Sequence, residues 1–117
     1  MCTADEIQPR GSAEIYYLLL EAGNLIGKAG PIEKGTSLCH GTAGSGTAML
    51  KLFQRTNDEP WLERARAFAA HILVQSKEEV TRAGQPRFSL WTGDLGVALF
   101  FRDLLEGKAL IPTIETL

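Results

Sequence analysis

The strongest constraint on this chain is a pair of glycine-spaced turns. Cys39-His40-Gly41-Thr42-Ala43-Gly44 lies over Trp91-Thr92-Gly93-Asp94-Leu95-Gly96 with both glycines in register, at a shift of about 52 residues. The flanking segments follow nearly the same shift, because Lys28-Ala29-Gly30 ahead of the first turn is echoed by Arg82-Ala83-Gly84 ahead of the second. Each unit therefore reads as outer helix, connector, Gly-x-x-Gly turn and inner helix. Hairpins of this kind bury their faces by stacking, and roughly three or more are usual in a stable array. Two units in 117 residues predict an all-α chain that is incomplete as an isolated stack.

Local patterning supports four helices. From Ser12, a capping-type residue, to about Gly27, apolar residues Ile15, Leu18, Leu19, Ala22 and Ile26 recur at helical spacing, on a face wide enough to predict burial on several sides. Gly27, Gly30, Pro31 and Gly35 interrupt the pattern and form a connector. A second helix from about Gly44 carries Ala48, Met49, Leu52 and Phe53, and Thr56-Asn57-Asp58 provides its stop and the next cap. Pro60 suits the first turn of a third helix, about 60–77, with Trp61, Leu62, Ala65, Phe68, Ala69, Ile72 and Leu73 on its apolar face. A polar connector is expected over 78–87, then a core helix over about 94–106. Residues 1–11 read as a flexible N-terminal segment and 12–117 as one structural unit.

Composition narrows the function classes. A chain that is 44% hydrophobic and 22% charged, with a formal net charge of -2, offers no electrostatic case for nucleic acid. Its longest apolar runs are far shorter than a bilayer span, and Met1 leads into polar residues, so the cytoplasm is the expected compartment and no membrane partner is expected. Cys2 and Cys39 sit in such different settings that a disulfide is not expected.

The chemistry concentrates at Cys39 and His40. Thiolate and imidazole are preferred zinc ligands, and adjacent residues converge on one point only in a non-helical turn. The bland alternative is a buried thiol beside a hydrogen-bonded imidazole. His71 has no second ligand at i+4 and is assigned no role. The glycine sets lack a following Walker lysine, so tight packing explains them better than phosphate binding. Asp94 reads as a helix-start residue favoured by the dipole, and Phe88 and Trp91 as packing residues. No catalytic residue is assigned.

Leu38-Cys39-His40-Gly41-Thr42-Ala43-Gly44 resembles the Leu-Cys-His-Gly-x-Ala-Gly turn of the lanthionine synthetase C-like family. Phe88 to Ala98 is similar to that family's final inner-helix signature, and Trp61 to Ala69 resembles a helix of its bacterial members. The resemblance runs from about residue 13 to the C-terminus and implies the last two hairpins of an α/α toroid.

It also implies a zinc cofactor held by the Cys-His pair, here Cys39 and His40, with a further cysteine from an earlier turn and one position open for a thiol. In the family the bound thiol adds to dehydroalanine or dehydrobutyrine and closes a thioether ring. In other members a glutathione-like thiol is the implied partner. Arg82, in the connector before the second turn, matches a basic position that faces substrate in thiol-binding relatives, although a solvated loop arginine is the better-favoured reading. The earlier turns have no counterpart here, and Cys2 lies outside any Gly-x-x-Gly turn, so the third ligand and the activity of the isolated chain stay open. Two alternatives also stay open. One is a non-catalytic module that associates with itself or a helical partner through Ile15 to Leu20 and Val97 to Phe101; the other is a remnant without independent activity.

Overall fold

The computed structural model describes residues 12–33, 35–85 and 88–110. The segment 1–11, and Cys2 with it, lies outside them. Four α-helices and no strands are present among the described residues, as the sequence predicts: α1 (Ser12–Ala29), α2 (Thr42–Thr56), α3 (Glu59–Ala83) and α4 (Asp94–Glu106).

Helix ends follow local chemistry. Asn57 (φ 60°) closes α2 in the left-handed conformation, with its N–H donating to the Phe53 carbonyl. The paired glycines of the repeat behave alike: Gly30 (φ 77°) and Gly84 (φ 80°) each turn the chain past an outer helix, donating to the Ile26 and Val80 carbonyls.

Helix α3 extends six residues beyond the sequence expectation, to Ala83. Residues 78–83 are therefore helical and not connector. Glu78, Val80, Thr81 and Arg82 are exposed there, Glu79 turns inward, and Gly84 caps the helix. Leu73, expected on the apolar face of α3, is exposed instead, because it follows the buried Ile72 by one position and so turns about 100° away from the core.

The inner helix α2 packs most extensively on α3. Met49, Leu50 and Leu52 meet Trp61, Leu62, Ala65 and Phe68 in one cluster, which Ala109 completes after α4. A second cluster joins Ala43, Ala69 and Ile72 to Val97 and Phe100 of α4. Gly46 allows the α2–α4 approach: a Cβ there would run into the Phe100 ring. Within α4, the buried Asp103 carboxylate accepts the N–H of Leu110 from the chain beyond the helix (3.2 Å) and pairs with Arg102 (2.7 Å), raising the guanidinium further above its usual range. Gln54 accepts the Ala109 N–H (3.0 Å), so the chain after α4 is fixed back onto α2.

Helix α1 corrects the expectation of wide burial. Only a narrow stripe is covered, where Gly23 lies against Leu52 and Trp61, and Leu20 and Ile26 join the first cluster. Asn24 accepts from Arg64, whose guanidinium stacks 4.6 Å over the Trp61 ring. Ile15, Tyr17, Leu18, Leu19 and Leu25 are exposed, because no other described element reaches that side. Phe88 is 83% exposed, so the sequence reading of it as a packing residue does not hold; Trp91 is 37% exposed.

Candidate metal centre

Helix α2 begins without a side-chain cap: its N-cap residue is Gly41, in extended conformation. Four amides at a helix start need acceptors. The connector serves three of them by doubling back, so that the carbonyls of Gly35, Thr36 and Ser37 accept from Thr42 (3.0 Å), Ala43 (3.1 Å) and Gly44 (3.4 Å), the last shared with the Gly41 carbonyl (3.1 Å). Glycine at 41 is required by this doubling, since a Cβ would strike the Ser37 amide and approach the Gly35 carbonyl to 2.6 Å. Cys39 and His40 sit at the apex between strap and helix.

The second turn reproduces the first. Gly93 caps α4 at φ -130°, ψ -162°, against φ -129°, ψ -170° for Gly41. A Cβ on Gly44 would meet the Leu38 carbonyl oxygen, and one on Gly96 the Leu90 carbonyl oxygen. The two turns also touch: the Cys39 N–H donates to the Trp91 carbonyl (2.8 Å), and Leu38 packs over Gly96.

At the apex, both Cys39 and His40 are exposed, so the buried-thiol alternative does not describe Cys39. The His40 N–H donates to Ser37 Oγ (3.3 Å), and Cys39 Sγ lies 3.9 Å from His40 Nε2. Ordinary zinc bond lengths of about 2.3 Å to sulfur and about 2.05 Å to nitrogen, at a tetrahedral angle, would separate the two donors by about 3.6 Å. The pair therefore fits two vertices of a zinc site with only a small adjustment. No group of three or more His, Cys, Asp or Glu residues that could hold a metal occurs among the described residues.

The other residues singled out from the sequence lie elsewhere. Arg82 is exposed in the last turn of α3, not in a connector. His71 is exposed on the same helix. Asp94 occupies the first position of α4, following the Gly93 cap.

Two residues that the sequence reading passed over hold the strap. Gln75, buried on α3, accepts from Thr42 Oγ1 (2.7 Å) and donates to the Ile32 carbonyl (2.8 Å). One turn on, Glu79 accepts from the Thr36 N–H (3.0 Å) and the Thr36 hydroxyl (3.2 Å). Their positions continue the buried stripe of Phe68 and Ile72, and a polar residue in phase with an apolar stripe was the available signal.

The family model for lanthionine synthetase C-like protein matches residues 11–116. The chain belongs to the lanthionine synthetase C-like family. Glutathione S-transferase LANCL1 of Danio rerio is 35% identical over 97 residues, which cover 82% of this chain and 24% of the relative. LanC-like protein GCL1 of Arabidopsis thaliana is 34% identical over 109 residues, covering 91% of this chain and 25% of the relative. This lanthionine synthetase C-like chain thus spans about a quarter of the length of the curated relatives it matches. No solved structure matches it. No helix among the described residues is long and apolar enough to cross a membrane.

Proposed function

We propose that this chain supplies Cys39 and His40 as two ligands of a zinc ion that serves thiol addition to an electrophilic alkene. The observation that carries this reading is the exposed Sγ and Nε2 pair, 3.9 Å apart at the apex of a turn. Zinc bound there would lower the pKa of a substrate thiol and orient its sulfur.

Within the chain, the residues prepare that site. The Cys39 and His40 amides are engaged by Trp91 and Ser37, which leaves their side chains directed by the turn and not by a helix. The net reaction adds S–H across the double bond of a dehydrated residue: a carbon–sulfur bond forms at the β-carbon, and the proton ends on the α-carbon. The thiol class is a peptide cysteine or a small glutathione-like thiol, the latter supported by the name of the Danio rerio relative. Arg82 is proposed on the resemblance as a substrate-facing cation. A third metal ligand and the acid–base groups come from outside the described residues.

The test is zinc content of the chain purified without added metal. Wild type is expected to retain zinc, and Cys39→Ala and His40→Ala to lose it. Loss in Cys2→Ala would identify the third ligand, whereas a zinc-free wild type would overturn the reading. A second reading, a helix-docking module, is favoured by exposed Tyr17, Leu18 and Leu25 on α1. Light scattering checks it: a strictly monomeric chain that captures no helical partner would count against docking.

A further inference from the structure

We infer that Glu79, on the outer helix α3, is a positioning residue for the Cys39–His40 metal pair. This rests on the reading that those two side chains bind zinc, and it identifies what fixes their turn from behind.

Glu79 uses both carboxylate oxygens on one residue of the strap. Oε1 accepts from the Thr36 N–H at 3.0 Å and Oε2 from the Thr36 hydroxyl at 3.2 Å. Thr36 is 3% exposed, and its own carbonyl accepts from Ala43 in the first turn of α2. One side chain therefore fixes the residue that both opens the strap and caps the helix. A Cβ at Gly35 would approach Glu79 Oε1 to 3.0 Å, so the carboxylate rests directly against the strap backbone.

From Thr36 the chain has three residues to reach Cys39, and at its far side Cys39 is held through the Trp91 carbonyl. The apex is thus suspended between two fixed points, one on α3 and one on the second turn. A carboxylate holds the α3 point more strongly than an amide, because both of its hydrogen bonds are charge-assisted. In Glu79→Ala both acceptors are lost and the Thr36 N–H and hydroxyl lose their α3 partner, whereas Glu79→Gln can keep both contacts by accepting from the N–H and donating to the hydroxyl oxygen. Residues that orient metal ligands from behind typically cost about 10- to 100-fold in metal affinity when removed.

The experiment titrates the full chain with Co2+ and reads the thiolate-to-cobalt charge-transfer band and the d–d bands. Glu79→Ala is expected to weaken Co2+ binding about tenfold and to shift the d–d bands, while helical content is unchanged, and Glu79→Gln to weaken it less. Thr36→Val, which removes only the hydroxyl donor, approaches the same contact from the other side and should weaken binding less. Thr36→Ser, which keeps both donors, should restore wild-type affinity and spectrum. In the Thr36→Val background, Glu79→Ala should cost less than it does alone.

Wild-type affinity and bands in Glu79→Ala, with no coupling to Thr36, would overturn the positioning role while leaving the zinc reading intact. Absence of the charge-transfer band in wild type itself would sink the zinc reading, and this inference with it.

Discussion

The two Gly-x-x-Gly turns share a backbone and differ in what they present. Gly41 and Gly93 adopt nearly the same dihedrals, and Gly44 and Gly96 each lie against the carbonyl six residues earlier. At the apex, one turn carries Cys39 and His40 and the other Trp91 and Thr92. Backbone packing determines the glycines, whereas the two preceding positions are exposed in both turns and free to carry chemistry. A second difference lies deeper. Gly46 of the first inner helix is buried beneath Phe100, while its counterpart Ala98 is exposed.

The largest expected effect comes from breaking that asymmetry. Phe100 is 1% exposed and joins α2 to α4, so Phe100→Ala should lower unfolding free energy by about 3–5 kcal/mol, measured by urea denaturation. A loss below about 1 kcal/mol would mean that the two units do not depend on each other.

Next in size is the equivalence of the glycines. Gly44→Ala and Gly96→Ala each force a Cβ onto a backbone carbonyl, and overpacking of this kind costs about 1–3 kcal/mol. The two losses should agree within about 0.5 kcal/mol if the turns are energetically alike. A markedly larger cost at Gly96 would show that its contact with Leu38 matters as much as the shared backbone.

The smallest effect on stability, and the sharpest on chemistry, comes from transplantation. Trp91→Cys with Thr92→His gives up the covered part of a tryptophan that is 37% exposed and the Ser89–Thr92 hydroxyl contact, and should lower stability by about 1 kcal/mol. A second Cys-His pair should then appear in cobalt titrations as additional charge-transfer intensity. Unchanged intensity would mean that the first turn owes its geometry to the strap and not to the glycine spacing.

The glycine spacing made the turns legible, because a close backbone approach excludes side chains whatever the surroundings. The starts of α3 and α4 were legible for a related reason: Pro60 and Gly93 are local signals. Residues 78–83 were not legible as helix, since Lys77, Glu78 and Arg82 face solvent and no apolar periodicity marks them. The role of Glu79 was hidden more deeply, because its partner Thr36 belongs to a connector whose path depends on the folded turn. On α1 the amphipathic pattern was readable, but the number of sides covered depends on neighbours and not on the helix itself. The Cys39–His40 pair was legible as residue types; its exposure and separation came from the structure.

The strap over the start of α2 has a consequence for motion. The amides of Thr42, Ala43 and Gly44 donate to the segment that precedes the Cys-His apex, so the apex cannot swing away while those amides stay protected. Gly44 also donates to the Gly41 carbonyl (3.1 Å) and is protected without the strap. Hydrogen exchange at Thr42 and Ala43 is therefore a clock for the apex itself, and any ligand that holds Cys39 and His40 in place would slow both amides together.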